Sequence, residues 1–540
     1  MANLTFTRQE FERHIKLTPE NVEKISMLGI PLEIHGNEVM IEVFPNRPDL
    51  LSLQGIVRTL KAFLGKDQGL TEYSIKPAER NYKVIIDNSV KEVRPYTACA
   101  IVKNLDLDSQ SIKQIIDLQE KLHSTFGRNR KRCAIGIYPM EKISLPIKYA
   151  AMLPEEIKFL PLEAEKEMNG KEILEKHPVG KTYAHLLQEA KKYPVFIDSK
   201  KQILSMPPII NSELTGRVTE KTKEVFIECS GFSYEVVSQA LAIVVTSLAE
   251  MGGKIYQMNL DYSGKTIKSP LLESKTQKIS LENVNKILGL NIDEKEISKL
   301  LPKMGYNYKK GQVTFPAWRT DIIHEIDVIE DVAIAYGYER LIPIVPQIPS
   351  ISKQLESKKI ENVLSSILTG LGLLEVSSFH LIKEEETKKL KEKPIELENS
   401  KTEYKHLRQN LSSCLLRILA DNKDNEYPQN IFEIGQVFKK NQNLVSEEKK
   451  LAIALTPGQF TQGKQIIESL FNQLGVQASL KDYENDLLIS GRTGNILVNN
   501  ESIGYIGEVH PETLKSWNIK LPVLLIEISL DKLSKYLKVH

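Results

Sequence analysis

SMPPIINSELTGRVTEKTKEVFIECSG, residues 205–231, sets the fold of the region around it. Pro207-Pro208 fixes an extended loop, and the turn-forming residues Asn211, Ser212, Glu213 and Thr215 follow at once. VFIECS then alternates as a strand. Ile227 and Cys229 take one face, while Phe226, Glu228 and Ser230 share the other, so an acid and a hydroxyl project together beside an aromatic ring. Two readings stand at this point. The polar residues suit the solvent side of a half-buried strand with an ordinary turn before it, and they equally suit a pocket for a small polar group. YKVIID, TACAIVKNL, KYPVFID and KIYQMNL are further strand-like segments, separated by helical stretches at 111–126 and 233–251. Residues 80–265 thus read as a mixed α/β domain.

Working outward, residues 1–75 read as a small α/β unit. It has a helix over FTRQEFERHI, another over TPENVEKISMLG, two strands joined through His35-Gly36-Asn37, and a longer helix capped by Asp49 or Ser52. DYSGKTIKSPLLESK, 261–275, reads as a linker. Residues 272–345 follow the order helix, turn, helix, hairpin of a winged-helix-like domain. Pro343, Pro346 and Pro349 then stiffen a connection to residues 350–540, a mostly antiparallel sheet with helices. Within this last part the mixed-charge run KEEETKKLKEKP, 383–394, reads as an exposed face.

RTDIIHEIDVIEDVAIAYGYER, 319–340, closes the winged-helix-like domain with an unusual density of acids. As a helix it has an apolar stripe at Ile326, Ile329, Ala333 and Tyr336. Asp327, Glu330 and Asp331 stand three and four residues apart and converge on one patch, with Asp321 near the helix start. Such a patch is either a solvated or partner-paired acidic face, or a site for a hard cation such as magnesium, which takes carboxylate and water oxygens.

At 540 residues the chain is long enough for roughly three to five domains. Its 41% hydrophobic and 26% charged content is that of a soluble globular protein. Lys and Arg number 72 against 70 Asp and Glu, so no global basic signature points to nucleic acid, and such contacts must be local. GRNRKR, 127–132, is the densest basic cluster. Cys99, Cys133, Cys229 and Cys414 form no CxxC pair, against a zinc site or disulfide framework and in keeping with a reducing cytoplasm. MANLTFTRQEFERH is too polar for a signal peptide, and ALAIVVTSLA is about half the length that spans a bilayer, so no membrane partner is expected. No phosphate loop, GxSxG or HExxH motif is present.

VFPNRPDLLSLQGIVRTL, GIYPMEKISLPIKY, the opening segment, FPAWRTDIIHEIDVIEDVAIAYGYERL, LRQNLSSCLLRILADN, FEIGQVF and GRTGNILVNNESIGYIGEVHPE together resemble the phenylalanyl-tRNA synthetase beta-subunit family in its shorter archaeal and eukaryotic form. The resemblance covers nearly the whole chain. It implies an α+β multidomain protein with an editing domain, a winged-helix-like domain and a C-terminal class II synthetase-like domain without its own catalytic motifs. Glu508 and His510 stand where a nucleotide-binding arginine would be sought. It also implies an α2β2 heterotetramer with an α subunit that binds ATP and phenylalanine and charges tRNA(Phe), and cytoplasmic location.

By the same resemblance, Asp321, Asp327, Glu330 and Asp331 match magnesium ligands, and Ser205, Glu228 and Ser230 match residues that recognise tyrosine in an editing pocket, lined also by Phe196 and Asn211. Editing has a physical motive, since an apolar pocket rejects a substrate with one extra hydroxyl by only about a hundredfold. Members of the short form often carry aspartate and threonine where this chain has Glu228 and Ser230. No catalytic base is assigned. A scaffold without editing activity, and a stand-alone nucleic-acid-binding regulator, are the other readings.

Overall fold

The computed structural model describes residues 2–348, 350–389, 395–441 and 444–537, which form two units meeting at Val345/Pro346. The first unit begins with a strand, Ala2–Thr7, where a helix over FTRQEFERHI was expected. Ala2, Leu4 and Phe6 are buried while Asn3, Thr5 and Thr7 are exposed, the alternation of a half-buried strand. The helix starts only at Arg8, where Thr7 and Glu10 form a reciprocal capping box. This strand joins the Leu32–His35 and Glu38–Val43 hairpin in a three-stranded antiparallel sheet. The helix Leu53–Phe63 is capped by Ser52, whose Oγ accepts from the Gly55 N–H at 3.0 Å. Asp49 instead lies buried against Arg47.

Two sheets follow, packed face to face. One has seven strands in the order Ile210–Asn211, Ile203–Met206, Tyr193–Ile197, Ile147–Met152, Lys83–Ile86, Met258–Tyr262, Lys265–Ser269. The other has five, in the order Ile75–Lys76, Lys254–Tyr256, Tyr96–Lys103, Val225–Gly231, Cys133–Pro139. Tyr138, Tyr149, Phe196 and Phe226 share the apolar layer between them. Ile227 and Cys229 face the other way, toward the buried helix Tyr234–Glu250. The alternation read from VFIECS therefore holds, but neither face meets solvent: every residue of Val225–Gly231 is buried. The expected linker at 261–275 is largely strand, because Met258–Tyr262 and Lys265–Ser269 form a hairpin through Gly264 at φ +98°.

The winged-helix-like part has a three-stranded antiparallel sheet, Lys275–Lys278, Gln312–Phe315 and Asn307–Lys309, with helices Leu281–Leu288, Glu294–Leu300 and Glu325–Tyr336. The last helix buries Val328, Ile329, Asp331, Val332, Ala333 and Ala335, while Ile326 is 45% exposed. Ile329 and Ala333 of the expected stripe are buried and Tyr336 is half-buried, but the buried face is wider than the stripe and takes in one of the acids, Asp331.

The second unit is built on a seven-stranded sheet, ordered Leu374–Glu375, Gln429–Asn441, Leu444–Thr456, Leu524–Ser529, Glu501–Val509, Leu488–Val498, Ala478–Lys481, antiparallel except for the first pair. Helices Glu356–Gly370 and Phe460–Gln473 cover one face and Ser412–Asp421 the other. The run at 383–394 is not simply an exposed face: Glu386 is buried and pairs with Arg417 at 3.0 Å, and Leu390–Pro394 lie outside the described residues. Among the described residues no helix is long and apolar enough to cross a membrane.

Candidate functional site

Strand register builds the site. In the seven-stranded sheet Asn211 pairs with Ser205, Ser205 with Phe196, and Phe196 with Tyr149, one row across four neighbouring strands. Register partners share a face, so all four side chains look toward the five-stranded sheet. There Glu228 is paired with Gly136, and Phe226 with Tyr138. Tyr149 stacks on Phe196 at 4.4 Å between ring centres, and Tyr138 on Phe226 at 5.8 Å.

This aromatic layer surrounds a polar cluster. The Tyr138 hydroxyl is a donor 3.2 Å from both Asn211 Oδ1 and Glu228 Oε1. Glu228 Oε2 and Ser205 Oγ are buried without a hydrogen-bond partner among the described residues. Burial pushes the Glu228 carboxyl up to about 8, against the opposing pull of Arg94, Tyr138 and Ser230. Glu228 therefore holds a proton at neutral pH and offers both a donor and an acceptor. Ser230 Oγ accepts from Arg94 Nε at 3.2 Å, and its carbonyl from Arg94 Nη2 at 2.6 Å. Of the five sequence-derived residues, Asn211 and Glu228 line the cavity described next, whereas Phe196, Ser205 and Ser230 are buried beside it, Phe196 against Tyr149 and Ser230 against Arg94.

Glu228 and Asn211 line a cavity of about 360 Å³, along with Ile135, Pro208, His123 and Arg130. That volume lies in the range of small-ligand sites. His123 is buried, and desolvation lowers its pKa. Its Nε2 accepts from the Ile135 N–H at 2.8 Å, which leaves Nδ1 to donate to Glu120 at 3.1 Å. Glu120, despite the upward push of burial, is held down at about 2 by His123 and Arg130. Sequence reading did not find Tyr138, Gly136, Arg94 or His123. The spacing of Gly136 and Tyr138 in CAIGIYP, two apart on one strand face, was the available signal.

The acids at 321–331 are arranged differently. Arg319 sits between two of them, with Nη2 at 2.7 Å from Asp321 Oδ2 and at 2.7 Å from Asp331 Oδ2. Tyr306 donates to Asp331 as well. Asp327 caps its own helix, accepting from the Ile323 and His324 N–H groups at 2.8 and 2.7 Å, and Glu330 is exposed. Asp327, Glu330 and Asp331 thus differ in setting, Asp331 being buried with its charge met by Arg319 while Glu330 stays exposed. Among the described residues no group of three or more His, Cys, Asp or Glu is placed to hold a metal ion. All four acids border a cavity of about 870 Å³ that also receives Arg47 and Arg132. With Asp321 and Asp331 neutralised, the donors left are Asp327 and Glu330, a set that suits a largely hydrated magnesium and not a four-carboxylate cage.

The chain matches three family models: the B3/4 domain over residues 80–247, the tRNA synthetase B5 domain over 277–338, and the phenylalanyl tRNA synthetase beta chain CLM domain over 342–530. It is 42% identical over 502 residues to the phenylalanine–tRNA ligase beta subunit of Pyrococcus abyssi, covering 90% of each chain. The chain belongs to the phenylalanine–tRNA ligase beta-subunit family. The beta subunit of Archaeoglobus fulgidus is 35% identical over 547 residues, 98% of each chain. An N-terminal fragment of the Pyrococcus horikoshii beta subunit, known from a crystal structure, has 41% identity and a TM-score of 0.59, covering 62% of this chain and all of that one. In the CLM part of this beta-subunit chain, Glu508 accepts from the Phe460 N–H at 3.0 Å and pairs with Arg492, while His510 caps the helix Pro511–Ser516. Both side chains are engaged within the fold.

Proposed function

We propose that the chain is the beta half of an α2β2 phenylalanine–tRNA ligase, in which the α subunit converts ATP, phenylalanine and tRNA(Phe) to phenylalanyl-tRNA(Phe), AMP and diphosphate, and this chain hydrolyses tRNA(Phe) wrongly charged with tyrosine. The observation that carries the editing reading is the buried Glu228, whose Oε2 has no hydrogen-bond partner among the described residues although Oε1 is met by Tyr138. A buried polar atom left unmet is costly, and a tyrosyl hydroxyl both donates and accepts. It would satisfy Glu228 and the Ser205 hydroxyl together. A phenylalanyl ring would leave both unmet, and a site of that kind discriminates far more strongly than an apolar pocket can. Phe196 and Tyr149 form a stacked apolar layer beside Ser205, and Asn211 with Tyr138 fixes the orientation of the carboxyl. Hydrolysis then requires a water positioned at the ester carbon, for which orientation is the main contribution of the protein.

Magnesium belongs to this reading through the α subunit, with Asp327 and Glu330 as the ligands from this chain. It would supply a counter-charge joining the two subunits. The resemblance of the acid run, the exposed Glu330 and an Asp327 that meets no cation among the described residues support it; Asp321 and Asp331 serve the fold through Arg319.

The test is to purify the chain with its candidate α partner and measure charging of tRNA(Phe) and hydrolysis of tyrosyl-tRNA(Phe). Charging that requires both chains, and hydrolysis that is lost in Glu228→Ala and Ser205→Ala, is the expected result. Charging indifferent to this chain overturns the ligase reading, and hydrolysis indifferent to both substitutions overturns the pocket.

A further inference from the structure

The loop Gly127–Arg132 contributes Arg130 to the cavity that Glu228 lines, and three successive residues in it, Arg128, Asn129 and Arg130, adopt left-handed backbone at φ 49°, 52° and 65°. Only glycine takes such angles freely, and asparagine next most readily, so three in a row hold a definite shape only if the surroundings impose it. Arg94 does so. This side chain is 2% exposed, makes no ion pair among the described residues, and spends its guanidinium on backbone: the carbonyls of Arg130 at 3.2 Å, Lys131 at 3.4 Å and Ser230 at 2.6 Å, besides Ser230 Oγ. A buried arginine committed to carbonyls is an expensive tether, and it ties the loop directly to a residue of the pocket.

The basic side chains on this loop divide by role. Arg130 is turned inward, donating to the Ile209 carbonyl at 2.8 Å and to Glu120 at 3.0 Å while lying over the Tyr183 ring. Arg132 lies over Phe126 and reaches the other cavity. Arg128 and Lys131 are exposed and meet no carboxylate among the described residues. Two unneutralised cations therefore flank Arg130, which lines the cavity.

We infer that Arg128 and Lys131 form a rigid phosphate-binding ledge that receives the single-stranded acceptor end of tRNA as its aminoacyl group enters the cavity beside Glu228. This rests on the editing reading above. A single-stranded acceptor strand presents regularly spaced phosphates, and a ledge fixed in advance by Arg94 loses little freedom on meeting them. The chemistry distinguishes this from a general basic surface, because the two exposed charges are near chain neighbours of Arg130, which lines a cavity together with Glu228.

The experiment uses the complete complex with the α partner. A benzoylphenylalanine photocrosslinker at Asn129, the exposed loop tip, is irradiated with tRNA(Phe), and the adduct is mapped. In parallel, the KM for tyrosyl-tRNA(Phe) hydrolysis is followed over a salt series for the parent and for the Arg128→Ala/Lys131→Ala double variant. Adducts on the acceptor-end nucleotides are expected, with a KM increase of roughly tenfold and a salt slope shallower by about 1.4, from two contacts at ~0.7 each. Adducts on the α polypeptide, or on distant parts of the tRNA, overturn the ledge, as does an unchanged KM and slope. Absence of hydrolysis by the parent complex would sink the editing reading separately, and the crosslink map would still decide where the acceptor end lies.

Discussion

Gly136 and Glu228 face each other as register partners on adjacent strands, and a Cβ on Gly136 would stand 2.6 Å from Glu228 Oε1. It would also collide with the ring and hydroxyl of Tyr138. The glycine is therefore the space into which the carboxyl and its phenol partner fit.

Gly136→Ala is expected to displace Glu228 and Tyr138 together. Overpacking of this kind costs ~1–3 kcal/mol, so a lowered thermal midpoint should accompany loss of tyrosyl-tRNA(Phe) hydrolysis. Hydrolysis at the parent rate in a folded Gly136→Ala complex would show that the carboxyl is not used.

The ionisation of Glu228 gives a stability signature with a definite sign. Its carboxyl titrates at about 8 in the fold, against 4.5 when unperturbed. The folded chain thus binds the extra proton between those values, and stability is full below about pH 4.5 and declines as pH rises through 8. Glu228→Gln, which cannot ionise, should gain on the parent by on the order of 4 kcal/mol over that window. Denaturant midpoints measured at pH 5 and pH 8.5 check it, and parallel profiles for the two proteins would refute it.

Arg319→Met removes the only cation paired with Asp321 and Asp331 among the described residues, both of which are nearly buried. Stranding buried carboxylates typically costs ~3–5 kcal/mol. The Asp321 carboxyl, now held below its ordinary value despite burial because Arg319 and Arg47 stabilise its charge, should rise. Adding Asp331→Leu to Arg319→Met should recover part of the loss, measured by urea unfolding; no recovery would mean the damage lies in Arg319 packing over Tyr306 and not in charge.

Chelation should separate two effects. Because Arg319 already neutralises the buried acids, EDTA is expected to leave the isolated chain folded and to weaken its association with the α subunit. Asp327→Ala with Glu330→Ala should weaken the association to the same extent and make it insensitive to EDTA. Sedimentation of the complex with and without chelator reads both, and an EDTA-sensitive double variant would place the metal elsewhere.

Much of this architecture is legible in the residues, where one face of an element is clearly apolar. VFIECS alternates cleanly, and the long apolar helix Tyr234–Glu250 and the core strands of the second unit follow their patterns. Legibility fails at edges. Lys265–Ser269 is an outer strand whose Lys265, Thr266 and Lys268 face water, so its composition is that of a linker. It fails again where one charge changes the meaning of another. The acids at 321–331 look convergent along a helix, but Arg319 turns two of them inward. At the candidate site, Asn211 and Glu228 stand out in the turn and strand pattern and Ser205 by resemblance, whereas their partners Tyr138 and Arg94 lie 90 and 136 residues from Glu228 and Ser230, so no local pattern shows which residue meets which.

The row Asn211, Ser205, Phe196 and Tyr149 crosses four strands, and its members come together only because each strand is held in one hydrogen-bonded alignment with the next. A site assembled this way tolerates a change of letter but not a change of frame. Exchange of Ser205 or Phe196 alters what the surface recognises while the sheet stands. Insertion of a single residue between Ser205 and Met206 would break the alignment of Ser205 with both Phe196 and Asn211. Substitution can therefore retune this surface, while a change in the length of the strands beneath it would dismantle the row.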